Sequence, residues 1–383
     1  SELTLQLYYD FSRHRANRHA LDPAFDNSPE LDKDKFEQDT WDIDLHYRFS
    51  AFEHHEIIWG LGFRNTRISK NETNIFFILD PQRRYISKYS GFIEDDIMLI
   101  DEHLKLILGS KFEYNSFTDF EVQPTLRLLW TPHGHHTFWA SVSRAVRTPA
   151  LVEHDGNVRL AVVALPVGPK RLVAWQGTDS FDSEELTAYE LGYRMNLNHT
   201  FSLDLAAFYN VYDELRTLEP GEPVRHPGYI MLPQLLDNRM DGRTCGIEAA
   251  ANLQASRWWH LQASATWIQM NLDPETDSRA ANASTDENMT PSHWFSLRSL
   301  MDINSRLELD TSLYFVDNVP GLGAKRYTNL SVRLGWKPVK GLELALIGQN
   351  LLDNKHNEFS DEIYRRASNE VRRSFYGRIS WEF

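Results

Sequence analysis

From Trp41 to Phe49 the chain alternates without a break. Trp41, Ile43, Leu45, Tyr47 and Phe49 fall on one side, and Asp42, Asp44, His46 and Arg48 on the other. Successive side chains of a β-strand point to opposite faces, so this is a strand with one apolar and one polar face. The pattern recurs. Trp259, Leu261, Ala263, Ala265 and Trp267 alternate with His260, Gln262, Ser264 and Thr266. Leu330, Val332, Leu334 and Trp336 alternate with Ser331, Arg333 and Gly335. Cys245 to Leu253 and Phe201 to Tyr209 follow the same rule, and Cys245 falls on the apolar side as a small hydrophobe. Phe92 to Leu99 does not alternate cleanly. A strand of this kind half-buries itself in a soluble sandwich, or it faces lipid on one side and a wet lumen on the other.

About 16 strand candidates follow one another, near residues 2–14, 40–51, 56–68, 88–99, 103–115, 120–131, 136–146, 187–197, 200–213, 243–255, 258–271, 293–303, 306–316, 326–337, 341–350 and 374–383. Each is long enough to cross a bilayer when tilted, which takes roughly 9–11 residues. The links between them alternate in length. Short ones include Phe52–His55, Thr131–His135, Asn304–Arg306 and Lys337–Gly341; long ones include Asn17–Asp39, Ser69–Ser87, Arg147–Leu186, Glu214–Gly242, Leu272–Ser292 and Leu351–Arg373. A membrane barrel with short turns at one end and long loops at the other does this, whereas a sandwich has no reason to. The expected fold is therefore all-β, an antiparallel transmembrane β-barrel. Trp41, Phe49, Trp259 and Trp267 should face outward, and Asp42, Asp44, His260 and Gln262 should face the lumen.

Composition agrees. Aromatic residues make up 12% of the chain, yet mean hydropathy is only -0.48, as a polar lumen would require. No run of 18 apolar residues exists to form a transmembrane helix. A net charge of -14 argues against nucleic acid as a partner. One cysteine excludes an intrachain disulfide framework. No Gly-x-Ser-x-Gly motif and no triad spacing is present, so no catalytic residue is assigned and no enzyme is expected. The acidic stretch Asp26 to Asp39 lacks the spacing and glycine of a calcium-binding EF-hand loop and reads as a solvated loop, so no metal site is assigned.

The last strand, Ser374 to Phe383, puts Phe375, Gly377, Ile379, Trp381 and Phe383 on its outward face. A final strand ending in Phe resembles the signal read by the outer-membrane barrel-assembly machinery, carried here by Ile379, Trp381 and Phe383. Three further stretches resemble TonB-dependent receptors. They are Gln123-Pro-Thr-Leu-Arg-Leu-Leu-Trp-Thr-Pro132 with Phe138 to Leu151; Ser183 to Tyr193 with Phe208-Tyr-Asn; and Gly348-Gln-Asn-Leu-Leu-Asp-Asn-Lys355. The resemblance is strongest from about residue 120 onward. It implies the outer membrane of a Gram-negative bacterium, short turns on the periplasmic side and long loops outside. It also implies a barrel of about 22 strands with a plug folded inside. Residues 1–383 then read as the C-terminal part of that barrel domain, with a plug, a signal peptide and about six strands lying outside them. The rival is a passive general porin closed at 16 strands. Pairing of 2–14 with 374–383 would favour it.

The resemblance implies active, TonB-energised import of a scarce nutrient, a ferric siderophore first and haem or cobalamin as alternatives. The transported ligand is then an iron chelate rather than a resident cofactor. The partners implied are the TonB complex of the inner membrane, reached through the plug, the assembly machinery, lipopolysaccharide and phospholipid. Ferric siderophores are often anionic, so cationic and aromatic loop residues suit them. The candidates are Arg83, Arg84, Tyr85, Arg144, Arg147, His154 and Arg159, with Lys170, Arg171, Arg365, Arg366, Arg372 and Arg373 as further cations. In haem importers a histidine in the region of His154 ligates iron. The alternative for the arginines is pairing with loop acids or with lipopolysaccharide phosphates.

Overall fold

The computed structural model describes residues 1–17, 33–71, 77–163, 167–197, 200–280, 282–358 and 370–382. Sixteen strands form one continuous antiparallel wall: β1 (Glu2–Asn17), β2 (Lys33–Phe52), β3 (His55–Asn71), β5 (Arg83–Ile100), β6 (Leu104–Asn115), β7 (Asp119–His133), β8 (His136–Arg147), β11 (Glu184–Leu197), β12 (Phe201–Pro220), β14 (Tyr229–Ser256), β15 (Trp259–Pro274), β16 (His293–Asn304), β17 (Leu307–Val316), β18 (Tyr327–Val339), β19 (Leu342–Gln349) and β22 (Ser374–Trp381). The intervening numbers belong to short strands outside the wall: β4 (Phe77–Leu79), β9 (Gly156–Val163), β10 (Lys170–Gln176), β13 (Val224–His226), β20 (Lys355–Asn357) and β21 (Glu370–Arg372). Among the described residues helix is confined to two short pieces, α1 (Leu151–Asp155) and α2 (Ala283–Glu287), and one 3₁₀ turn at Pro320–Leu322. Among the described residues no helix is long and apolar enough to cross a membrane.

Register carries the alternation across the wall. Leu7, Ile43, Phe63, Tyr89, Tyr114 and Phe120 stand opposite one another on six successive strands. One residue along, Tyr8, Asp42, Arg64, Lys88 and Asn115 make the matching row on the other face. The first face exposes Leu3, Leu5, Leu7, Trp41, Leu61, Ile93, Leu191, Ile247, Leu346 and Ile379, which only lipid makes favourable. The second is held by ion pairs, such as Arg64 to Asp42 at 2.5 Å, and Arg333 to Asp310 and Glu343 at 2.8 and 2.5 Å. Trp41 and Trp267 are exposed on the apolar face, Phe49 and Trp259 lie in its rows, and Asp42, Asp44, His260 and Gln262 lie on the polar one.

Short turns at Phe52–His55, Ile100–Leu104, His133–His136, Ser256–Trp259, Asn304–Leu307 and Val339–Leu342 all fall at one end. The other end carries the long connections, with Asn115–Asp119 as a brief exception. Trp130, Phe138, Trp258, Trp336 and Trp381 ring the short-turn end and Tyr9, Trp41, Phe120 and Phe295 the other, in the manner of interfacial aromatic girdles. Among the described residues β1 pairs only with β2 and β22 only with β19, so the pairing that would close a 16-stranded porin is not made. Phe383 lies outside the described residues. So do Arg365, Arg366 and residues 26–32 of the Asp26–Asp39 stretch.

The expected loop Glu214–Gly242 is largely strand. β12 runs on to Pro220 and β14 starts at Tyr229, so this hairpin stands well beyond the bilayer. Its register shifts between Tyr212 and Arg216, where Glu214 takes a positive φ of 57°. That bulge breaks the two-residue period that marks a strand.

Close packing inside the wall fixes some glycines. A Cβ on Gly192 would sit 2.1 Å from the Trp139 ring, so the indole lies flat on the neighbouring backbone. Gly192→Leu should displace Trp139 and destabilise the barrel by about 1–3 kcal/mol. The folded band on an unheated gel should then convert to the unfolded one at lower temperature than in the parent protein; an unchanged conversion temperature would contradict this packing.

Candidate functional site

The connection from β8 to β11 folds into a cap over one side of the long-loop end. β9 and β10 pair with each other, β4 joins β9, and β10 joins β14 in parallel. Leu172, Ala174 and Phe181 of the cap are almost fully buried, as are Leu79 of β4 and Leu236 of β14, at roughly 1.5–3 kcal/mol for each large side chain. α1 fits against the end of β10 because Gly177 has no side chain. A Cβ there would lie 2.7 Å from the His154 carbonyl oxygen.

α1 is tied down by one carboxylate. Glu153, only 2% exposed, accepts two hydrogen bonds from the Arg147 guanidinium at 2.9 and 3.0 Å, one from Arg216 at 3.2 Å and one from the Ala150 amide at 2.8 Å. Glu184 accepts from Arg147 Nε at 2.5 Å and from the Arg216 amide at 3.0 Å. Three wall strands, β8, β11 and β12, thereby grip one turn of helix. Burial pushes the Glu153 carboxyl up. The hydrogen bonds from Arg147 and Ala150 and the charges of Arg147 and Arg216 outweigh it, and hold the group below its usual range. The guanidiniums of Arg147 and Arg216 stay close to half exposed, so two cations lie side by side on the luminal rim.

Next to them His154 bonds Asp155 at 2.7 Å and lies 5.0 Å from the Phe117 ring, while Arg84 reaches Asp155 at 3.4 Å and lies over the Phe117 ring at 5.4 Å. Among the described residues His154, Asp155 and Asp179 are the one group close enough to hold a metal ion. Arg84 beside Asp155 and a 2.7 Å bond between two of the three ligand atoms make it a poor cation cradle. His154, little exposed and held through Nδ1, is likewise not presented as a haem ligand.

Register separates the sequence candidates. Arg84 and Arg147 point to the lumen side and meet α1 there, together with His154. Arg83, Tyr85 and Arg144 occupy outward rows. Arg144 pairs with Glu185 at 2.5 Å and donates to the Val122 carbonyl. Arg159 lies in β9 with its Nε buried and unbonded. Lys170 and Arg171 are exposed at the start of β10, as are Arg372 and Arg373 ahead of β22. Sequence reasoning missed Arg216, Glu153 and Glu184. Arg216 lies just past the bulge, where periodicity fails, and the carboxylates look like ordinary loop acids.

Residues 1–351 match the family model described as TonB dependent receptor-like, beta-barrel. No match was found among curated proteins. Among solved structures, the chain is similar to the siderophore receptor PirA of Acinetobacter baumannii, with 14% identity and a TM-score of 0.73 over 100% of this chain and 60% of that one. It is also similar to a ferric enterobactin receptor (PfeA) of Pseudomonas aeruginosa, with 15% identity, a TM-score of 0.71, and 100% and 59% covered. The FrpB iron transporter of Neisseria meningitidis is similar at 14% identity, a TM-score of 0.72, and 100% and 60% covered. The chain thus spans about three-fifths of the length of these structures. At such identities the likeness concerns the fold. With a family model matching most of its length, this chain belongs to the TonB-dependent receptors, as part of their β-barrel.

Proposed function

We propose that the chain is the barrel part of an outer-membrane receptor of a Gram-negative bacterium, one that captures an anionic iron chelate, a ferric siderophore, for TonB-energised import. The observation that carries this is the Arg147–Arg216 pair on the luminal rim, beside Arg84 and Phe117, in a fold shared with siderophore receptors. Paired guanidiniums and an aromatic face suit a bulky anion of catecholate or carboxylate type. Among the described residues β1 and β22 do not pair with each other, which supports the larger barrel over the porin, since backbone groups in hydrocarbon need partners. In this reading a plug outside these residues fills the lumen, links the receptor to TonB and makes inward release an active step. The assembly machinery acts at the last strand, through Ile379, Trp381 and Phe383, and lipopolysaccharide meets the outward cations Arg83 and Arg144.

Uptake of a radiolabelled ferric tris-catecholate by cells carrying the receptor should stop when the proton gradient is collapsed, while surface binding persists. Uptake that continues and rises linearly with ligand concentration would identify a passive porin.

A further inference from the structure

One carboxylate stands among the apolar rows of the outward face. Asp95 shares its row with Phe49, Ile57, Leu108 and Leu126. Its Oδ2 holds Nδ1 of His55 at 2.8 Å, and its Oδ1 is buried without a hydrogen bond. His55 lies one row nearer the short turn, beside Ile97, Leu106 and Leu128, with the Phe52 ring edge-on at 5.9 Å. Four strands along, the pattern repeats with a different anchor. His136 faces outward from the start of β8, its Nδ1 2.9 Å from the Tyr193 hydroxyl and its ring stacked on that tyrosine.

Both imidazoles are pinned through Nδ1, and among the described residues no hydrogen bond engages Nε2 of either. Both stand at the short-turn end, His136 one row from Phe138 and Trp130 and His55 against Phe52, where a lipid head group begins. Ionisable groups on a lipid face are costly unless something polar meets them. Asp95 cannot itself be that contact, because its remaining oxygen is covered. The group offered outward is the imidazole Nε2, a hydrogen-bond donor when Nδ1 accepts from Tyr193 or when the ring is an imidazolium balanced by Asp95. A donor at head-group depth fits a phosphodiester oxygen.

We propose that His55 and His136 are two binding points for phospholipid phosphates on the outer surface of the wall, with Asp95 and Tyr193 as positioning residues. The receptor, extracted in a phosphate-free maltoside detergent, is titrated with dioleoylphosphatidylglycerol. Bound lipid is counted by native mass spectrometry, and unfolding temperature is followed in parallel. His55→Leu with His136→Leu should weaken lipid retention about tenfold, the loss of charge-assisted hydrogen bonds, and remove the lipid-dependent rise in unfolding temperature. Unheated-gel mobility confirms that the barrel has assembled; if the double variant does not assemble, each single variant is titrated and should lose part of the effect. Parent-like retention in assembled variants overturns the proposal. Inorganic phosphate should not protect the parent protein; protection equal to that by the lipid would make the ligand free phosphate and overturn the lipid assignment.

Discussion

Glu153→Ala is expected to release the segment between Arg147 and Glu184 from the wall while the sixteen strands stay assembled. The change removes the shared acceptor of Arg147, Arg216 and the Ala150 amide and leaves two guanidiniums side by side. Breaking a buried ion pair costs about 3–5 kcal/mol. Both arginines already reach water, so the lower end applies. At 1.4 kcal/mol per factor of ten, amide exchange at Gly177 and Thr178 should quicken by about 100-fold. These amides bond Gly156 and Glu153 carbonyls at 2.7 and 3.0 Å, so they report directly on whether α1 is docked. Exchange at parent rates would show that Glu153 does not hold the cap. The same carboxyl sets an acid limit. Because its pKa in the folded protein lies below the ordinary value, its contribution is complete above the ordinary carboxylate range and is lost as pH falls through the depressed value. Protease sensitivity of the cap should therefore rise on acidification. Glu153→Gln should start more sensitive and lose much of that dependence.

The second large effect concerns capture. Arg147→Ala with Arg216→Ala should weaken surface binding of ferric tris-catecholate by about 100-fold or more, since each charge-assisted hydrogen bond is worth about 1.5–3 kcal/mol. Arg144→Ala should change binding little, because that guanidinium lies on an outward row against Glu185. Equal losses in the two variants would show that the luminal pair is not the contact. Loss of the cap is a competing explanation, and Glu153→Gln separates the two. It loosens α1 but keeps both arginines, so binding should survive.

The wall is legible in the sequence because one face of each strand must meet water and the other lipid, which writes a two-residue period into Trp41–Phe49 and Trp259–Trp267. Where that rule bends, legibility fails for identifiable reasons. Phe92 to Leu99 loses its alternation because Phe92 turns inward into space left by Gly60, where a Cβ would meet its ring at 2.3 Å, and because Asp95 turns outward to His55. Arg147 stands in the sequence only as one of many loop cations. Its partner Arg216 comes from β12, beyond a bulge that no period announces. The cap strands β9 and β10 carry apolar residues whose partners, Leu79 and Leu236, lie far away in sequence.

The parallel joint between β10 and β14 has a consequence for how the molecule comes together. Wall strands pair with the wall strands next to them in the chain, and the hairpins at the short-turn end close short loops and zip locally. β10 must instead find β14 across more than fifty residues, and β4 must find β9 across nearly eighty. Such distant pairings cost more loop entropy and form slowly. The cap should therefore be completed last and fray first, so an inserted wall that already holds Arg147 and Arg216 on β8 and β12 can exist before α1 is docked on them. Protection of the cap against protease should lag behind insertion, and the lag itself would be a property of the cap rather than of the membrane.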